Sequence, residues 1–467
     1  MLQLIYKLYF IDNAKYIAKY DKGAIMNNVK IDFSKGLGKI KPMHAVNNGP
    51  QIARGDQTRG NSVLYAKAKI PYARTHDAAF YAPYGGEHTV DIGAVFPNFD
   101  ADVNDEASYD FACTDNYMKQ IYSVGTRPFY RLGSKIEHEV KKYGTLPPKD
   151  FLKWAQICEH IIMHYTEGWA NGFFYDMEYW EIWNEPDLDP DDSTNKRCWG
   201  GTEAEFTEFF ITASTYLKAR FPNLKIGGPA LAWNEDWLER FFERIERVNG
   251  KRVPLDFLSW HWYGTEPREM SEKGTRICEI ARRFGYEGFE SILNEWNYVR
   301  GWSDEWIYSI EQMIGIKGAS FIAACMCEGQ KNPAIDMLMY YDARPCAMNG
   351  MFDFYTMRAL KGYYPFLMWS KLYELQNQTS ASSDDENIYV VSAENDGKIG
   401  AMVTYYAEND NELPKRVTID IEGASLDGIK VYILDENNTM CECLNYRIED
   451  NSIKLVLNRN SVIYIEK

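Results

Sequence analysis

The sequence has little positive charge and no long apolar run, and both absences exclude classes of partner. It contains 51 lysine and arginine residues against 67 aspartate and glutamate residues, a net charge of −16. Nucleic acids and anionic membrane surfaces are bound by basic patches, so neither is expected as a partner. A membrane span needs roughly 18 uninterrupted apolar residues, and no window of the sequence approaches that length. The composition instead suits a soluble enzyme that acts on neutral small molecules.

Cysteine and histidine are too scattered for a disulfide framework or a zinc site. The nine cysteines are odd in number, and their two close pairs are Cys-x-Cys rather than Cys-x-x-Cys. The seven histidines show no metal-ligand spacing beside them. We predict no metal, no cofactor and free thiols in a reducing compartment, which indicates a cytoplasmic protein.

The first 28 residues are predicted to be an N-terminal extension that is not part of the fold. Their apolar start is interrupted by Lys7 and lacks a small-residue cleavage site, so it is a poor signal peptide. The first convincing strand begins at Val29, where apolar residues alternate with polar ones up to Phe33.

Short apolar strands alternate with helical patterns up to about residue 330, which is typical of an α/β fold with a parallel sheet. Eight strands are predicted, at residues 43–46, 72–75, 127–131, 179–183, 225–228, 257–262, 291–295 and 319–325. Helices are predicted between them, at residues 148–166, 202–220, 233–248, 269–284 and 304–317. Eight strands with interleaved helices predict a (β/α)8 TIM barrel over residues 29–370.

The last hundred residues have a different pattern. After a polar break at 379–385, short strands with turns between them are predicted at residues 388–391, 399–405, 416–421, 429–434, 453–457 and 462–465. This regular spacing predicts a C-terminal β-sandwich over residues 371–467, which the early strand at 29–40 is expected to join.

Catalytic groups of a parallel barrel collect at the carboxyl ends of its strands. Two predicted strands end in a glutamate with aromatic neighbours, Glu185 and Glu295. A carboxylate that is partly desolvated has a raised pKa and can act as an acid near neutral pH. Either glutamate alone would more commonly be a surface or ion-paired residue, and the pairing of the two favours catalysis. Further candidates for substrate binding at strand ends are His76, Asn184, His261, Tyr263, Trp296 and Glu328.

Two other groups of residues are given structural interpretations. Arg131 is expected to hold a carboxylate rather than to touch substrate. The acidic run at 187–192 is interpreted as a solvated loop, and a calcium site is the open alternative because its ligand spacing is unspecific.

The motifs around the two glutamates resemble those of a known family. Trp183-Asn184-Glu185-Pro186 and Asn294-Glu295-Trp296 are similar to the paired glutamates of clan A glycoside hydrolases. Within that clan the chain most resembles glycoside hydrolase family 39, which includes β-xylosidases and α-L-iduronidases. Residues 41–50 and 257–263 support the resemblance, whereas Asn294-Glu295-Trp296 departs from the more usual Thr-Glu-Phe of the family.

The resemblance implies a retaining exo-glycosidase, β-xylosidase-like, acting on a glycoside or oligosaccharide. Glu295 would be the nucleophile and Glu185 the acid and base, while Asn184 would bind the sugar 2-hydroxyl and Tyr263 would orient Glu295. Another clan A specificity (arabinosidase, galactosidase, glucosidase or iduronidase) and a catalytically dead carbohydrate-binding barrel are the alternatives. The oligomeric state is left open, a homo-oligomer included.

Overall fold

The computed structural model describes residues 26–51, 60–77 and 88–467, and its first element belongs to a C-terminal sheet. This element is strand β1 (Met26–Lys39). The predicted N-terminal extension, residues 1–28, lies outside the described residues except for its last three, which are part of β1.

Eight parallel strands close into a barrel, in which each strand pairs with the next along the chain and the last pairs with the first. They are β2 (Ala45–Asn47), β3 (Tyr72–Arg74), β4 (Arg127–Leu132), β5 (Tyr179–Ile182), β6 (Lys225–Leu231), β7 (Phe257–Gly264), β8 (Glu290–Tyr298) and β9 (Met337–Tyr340). The predicted TIM barrel is therefore confirmed.

The interior of the barrel is packed at its amino-terminal end. Apolar side chains of six strands form one small cluster, with Phe129, Tyr179 and Phe257 as its aromatic members. Residues on either side of these along each strand point outward to the helices, as Trp180 and Ile182 do. The polar side chains nearer the carboxyl ends of the strands therefore lie above a packed apolar layer rather than above an open pore.

Helices cover the outside of the barrel. They are α1 (Ser62–Lys67), α2 (Ile92–Val95), α3 (Ala112–Ser123), α4 (Phe151–Thr166), α5 (Glu203–Arg220), α6 (Glu235–Ile245), α7 (Pro267–Arg283), α8 (Trp306–Met313), α9 (Ile316–Lys331) and α10 (Tyr363–Leu375). Their starts follow local chemistry: Thr202 and Glu205 form a reciprocal capping box at α5, and the Asn234 side chain accepts from the Trp237 backbone N–H at α6.

The predicted eighth strand at residues 319–325 is wrong. These residues lie in the middle of α9, and the eighth barrel strand is β9. The run is apolar on every side because α9 is packed between the barrel and the C-terminal sheet, where its residues 317–327 are all buried. A helix that is buried all round shows no polar face, so its pattern matches that of a buried strand.

The C-terminal domain is one ten-stranded mixed sheet. Its other strands are β10 (Asn377–Ser383), β11 (Ile388–Asn395), β12 (Lys398–Tyr405), β13 (Lys415–Glu422), β14 (Lys430–Leu434), β15 (Thr439–Glu442), β16 (Tyr446–Glu449), β17 (Ser452–Leu457) and β18 (Ser461–Glu466). Strands from both halves of the sheet share one hydrophobic core, so the sheet curls over on itself. The expected polar break at 379–385 is largely β10, which pairs with β1.

No single helix in the described part of the chain is long and apolar enough to cross a membrane. Only α8 and α9 taken together reach that length and composition, and they are bent by 78° at the break between them.

A polar cluster joins the barrel to the sheet at the end of β8. Glu408 accepts hydrogen bonds of 2.9 Å from the Tyr298 hydroxyl and 3.2 Å from the Tyr406 hydroxyl. The buried ammonium of Lys317, on α9, lies 3.3 Å from the same carboxylate. One side chain of the sheet domain thus satisfies polar groups from two elements of the barrel.

We expect Glu408→Ala to destabilise the whole chain, because it leaves two tyrosine hydroxyls and Lys317 without this acceptor. The loss should be about 1–3 kcal/mol in the free energy of unfolding, measured by denaturant titration. Glu449→Ala is the matched control, since Glu449 makes a 2.7 Å ion pair with Lys454 that is exposed on both sides. Equal midpoints for both variants would contradict the assigned role of Glu408.

Candidate active site

Glu185 and Glu295 meet at the carboxyl end of the barrel, and each is placed there by a local irregularity of its strand. Directly after β5 in the sequence, Trp183 and Glu185 have positive φ angles of 72° and 47°, which turn the chain sharply as it leaves the strand. In β8 the pairing register shifts, so that His261 of β7 faces Glu295 and Asn294 is the extra residue of a bulge. A bulge re-aims side chains, and here both Asn294 and Glu295 contact interior groups of the barrel.

The two carboxylates are close neighbours with a histidine between them. One oxygen of Glu185, one oxygen of Glu295 and a ring nitrogen of His261 all lie within 4.8 Å of one another. The Nδ1 atom of His261 is 2.8 Å from Glu185 Oε1 and 3.7 Å from Glu295 Oε2. The thiol of Cys198 lies 3.7 Å from the other oxygen of Glu185.

A fully buried arginine, Arg74 at the end of β3, organises the site from below. Its guanidinium donates to Glu181 (2.7 Å), to Glu295 Oε2 (3.2 Å) and to the side-chain oxygen of Asn184 (2.6 Å). The second oxygen of Glu181 accepts from the side chain of Asn294 at 2.5 Å. Arg74 therefore fixes the nucleophile candidate and Asn184 in one rigid frame.

Two more predicted residues contact Glu295. The hydroxyl of Tyr263 donates a 2.6 Å hydrogen bond to Glu295 Oε1. His76 approaches the other carboxylate oxygen, with Nε2 at 3.9 Å from Glu295 Oε2, and its Nδ1 lies 3.0 Å from Asp77. Glu295 is thus held by Arg74, Tyr263 and neighbouring imidazoles, which leaves its carboxylate preorganised.

Burial determines which groups of the site carry protons. Desolvation raises the pKa of Glu185, against the lowering effect of His76 and Arg74. Desolvation also lowers the pKa of His261 to about 3, so its imidazole is neutral at physiological pH. One proton is then shared along the 2.8 Å contact: either the imidazole N–H donates to ionised Glu185, or protonated Glu185 donates to bare Nδ1. Both arrangements suit a carboxyl group that gains and loses a proton.

The spacing of Glu185, His261 and Glu295 would also accommodate a metal ion, since each offers one ligand atom. The guanidinium of Arg74 lies 3.2 Å from Glu295, and a cation next to that charge is electrostatically disfavoured. The arrangement fits a pair of carboxylates that exchange protons better than it fits a metal centre.

The acidic run at 187–192 was expected to be solvated, and this is wrong for its first residues. Asp187 is buried and accepts from the backbone N–H groups of Ala232, Trp233 and Asn234, just before α6. Asp189 forms a bidentate ion pair with Arg197. Asp187 thereby ties the turn that carries Glu185 to the end of β6. Its own pKa is raised to about 6, chiefly by burial.

Two predicted substrate contacts lie outside the site. Trp296 follows the β8 bulge, which turns its fully buried ring outward against Phe321 of α9 and Tyr340 of β9. Glu328 is not at a strand end but on α9, 3.9 Å from Lys331. The expected role of Arg131 agrees with its contacts, since it is buried and donates to Asp91 at 2.5 Å.

Sequence reasoning missed several groups that shape the site, namely Arg74, Glu181, Asn294, Cys198 and Asp187. Arg74 and Glu181 each lie inside a predicted strand next to apolar residues. A charged residue embedded in a strand that must be buried needs a charged partner, and that signal was available in the sequence.

We expect Tyr263→Phe to lower turnover about 10- to 100-fold, because Glu295 loses a 2.6 Å donor while the ring that fills the space remains. The measurement is kcat on an aryl glycoside. Tyr179→Phe is the matched control: its hydroxyl donates 2.7 Å to Glu290 at the other end of β5 and β8. An equal loss in both variants would show a general effect on the barrel rather than one on Glu295.

Comparison with known proteins shows which family this part of the chain resembles. The family model described as glycosyl hydrolases family 39 matches residues 66–294. A beta-xylosidase of Caldicellulosiruptor saccharolyticus is 28% identical over 255 residues, which cover 51% of this chain and 46% of that protein. A beta-xylosidase of Geobacillus stearothermophilus is 25% identical over 185 residues, 37% of this chain and 34% of that protein. The matched stretches thus span less than half the length of these relatives.

The fold of nearly the whole chain is shared with a solved structure. A glucosidase from Croceicoccus marinus superposes with a TM-score of 0.76 at 20% identity, covering 95% of this chain and 99% of that one. The family match runs from α1 into β8; it includes Glu185 and ends at residue 294, directly before Glu295. Over these 229 of 467 residues the sequence is similar to glycosyl hydrolases family 39, as it is to the two beta-xylosidases.

Proposed function

We propose that the chain is a retaining, exo-acting glycoside hydrolase with β-xylosidase-like specificity. This proposal rests mainly on the distance between the two carboxylates: one oxygen of Glu185 lies within 4.8 Å of one oxygen of Glu295 at the barrel mouth. Retaining glycosidases hold their carboxyl groups roughly 5–5.5 Å apart, whereas inverting enzymes need about 6.5–9.5 Å to admit a water molecule. The short spacing supports a covalent intermediate.

In the first step Glu295 attacks the anomeric carbon while Glu185 protonates the departing oxygen. Glu295 is suited to attack because Arg74 and Tyr263 hold it in one orientation. Glu185 is suited to donate because burial favours its protonated form. The single positive charge of Arg74 faces two carboxylates, Glu181 and Glu295. Protonated Glu185 adds no third negative charge, which limits the repulsion between carboxylates in the site.

In the second step Glu185, now ionised, takes a proton from water, which attacks the same carbon and releases Glu295. The neutral imidazole of His261 is positioned to donate to Glu185 in this state. Asn184 is held by Arg74 with its side-chain oxygen engaged, which leaves its NH₂ group to donate to the sugar 2-hydroxyl. That contact strengthens as positive charge develops on the sugar ring.

The proposed specificity follows the two beta-xylosidase relatives and the charges at the mouth. A uronidase needs a cation for the carboxylate of its sugar. Arg74 is engaged by Glu181 and Glu295, and Arg344, after β9, is paired with Asp342. These pairings favour a neutral sugar.

The nine cysteines form no disulfide, which supports our proposal of a reducing, cytoplasmic location.

The direct test of the function is a screen of 4-nitrophenyl glycosides that differ only in the sugar. We expect the β-xyloside to be turned over fastest and the anomeric configuration of the product, followed by NMR, to be retained. Inversion would contradict the mechanism. A lack of turnover on every sugar would favour a binding barrel instead.

Glu295→Ala should lower kcat at least about a thousandfold, because no covalent intermediate can form. Azide should restore turnover and give a glycosyl azide of inverted configuration. Glu328→Ala is the matched control, since this carboxylate lies on the outer helix α9, and it should keep full activity. Unchanged activity of Glu295→Ala would rule out the assigned nucleophile.

Glu185→Ala should slow substrates with poor leaving groups about 10²–10⁴-fold and activated 4-nitrophenyl glycosides much less, because only the former need an acid. In the intact protein, kcat/KM should fall as pH rises through the raised pKa of Glu185, since the acid must be protonated for the first step. This alkaline limb should disappear in the variant. Equal slowing of both substrate types would point to another acid.

A further inference from the structure

Two neighbouring strands, β7 and β8, extend further at the barrel mouth than the strands on either side of them. Strands β7 and β8 remain paired beyond the level of His261 and Glu295, through Tyr263 opposite Asn297 and Gly264 opposite Tyr298. Their neighbours β6 and β9 pair with them only up to Trp260 and Trp296. The extra length forms a wall that rises directly beside the nucleophile.

The loop at the top of this wall, residues 299–305, is held by several hydrogen bonds and an ion pair. The backbone N–H of Val299 donates to Gly264 (3.1 Å), and that of Arg300 donates to Ser309 of α8 (3.0 Å). The Arg300 guanidinium also lies 2.5 Å from Glu305, which closes the loop on itself. The loop therefore presents one exposed aromatic side chain in a fixed position.

That side chain is Trp302, which is 61% exposed although it stands next to the active site. Its ring meets the Tyr263 ring edge-on, with 5.0 Å between centroids. It stacks on Trp306 from behind, at 5.4 Å and an interplanar angle of 17°. Since the hydroxyl of Tyr263 contacts Glu295, Trp302 lies one aromatic ring further from the reacting centre.

We propose that Trp302, supported by Trp306, is a binding platform for the ring of the leaving group next to the cleaved bond. This inference rests on the proposed function: an exo-acting enzyme encloses one sugar at the carboxylates, so any further ring of the substrate extends outward. An indole face binds the apolar face of a sugar ring, and the fastened loop avoids the entropy cost of ordering that contact. A single exposed tryptophan elsewhere on a surface would need no explanation, but this one adjoins the site.

The test compares two substrates with the same sugar, β-1,4-xylobiose and β-xylosyl fluoride, because fluoride offers no ring to the platform. Trp302→Ala should raise KM for xylobiose about 5- to 10-fold and change kcat/KM for the fluoride less than twofold. Trp302→Phe should recover most of the xylobiose affinity, because a ring is retained. If the sugar screen favours glucose, cellobiose and glucosyl fluoride replace these probes.

Two control variants make the outcome decisive. Phe174→Ala removes an exposed aromatic ring that precedes β5, at the other end of the barrel, and should alter neither substrate. Trp233→Ala removes a comparably exposed tryptophan at the end of β6. The platform is disproved if Trp302→Ala impairs both substrates equally, if it leaves xylobiose unaffected, or if Trp233→Ala alone shows the selective loss. A wild-type protein that hydrolyses no glycoside contradicts the proposed function first, and the platform with it.

Discussion

The compensation of buried carboxylates by a single guanidinium is the constraint on which the site depends. Arg74 has no exposed surface, and it donates to Glu181, Glu295 and Asn184 at once. Removing one partner from such a network leaves uncompensated charge in a low-dielectric interior. The barrel therefore cannot adjust one of these side chains alone, and this rigidity holds the proposed nucleophile Glu295 and Asn184 in fixed relative positions.

Local departures from regular strand geometry convert this scaffold into a reactive one. A regular β8 would alternate its side chains, so that Asn294 and Glu295 would face opposite sides. The bulge brings both inward and sends Trp296 out to the helices. On the other side of the mouth, the left-handed backbone at Glu185 and the anchoring of Asp187 to the end of β6 hold the Glu185 side chain in place. The positions of Glu185 and Glu295 thus both depend on backbone irregularities, which are energetically unfavourable in an ordinary sheet.

The extent to which the sequence revealed this arrangement varied with the range of the interactions. The first seven barrel strands and the pair Glu185 and Glu295 followed from local apolar patterns and their abrupt ends. The eighth strand did not, because a helix buried all round at 319–325 has the pattern of a strand, while the true strand at 337–340 is only four residues long. The role of Arg74 arises from contacts more than a hundred residues apart, which no spacing along the chain encodes.

The position of β1 has a consequence for how the chain is made. This strand is synthesised before the barrel, yet it lies in the middle of the C-terminal sheet, antiparallel to β10 and parallel to β13. More than three hundred further residues must be synthesised before either of its partner strands, β10 or β13, is available. An unpaired strand edge is prone to wrong association during that time. Lys30 and Asp32 alternate with the apolar residues of β1, so one face of the unpaired strand is hydrophilic. This charge disfavours wrong association until β10 and β13 pair with the strand.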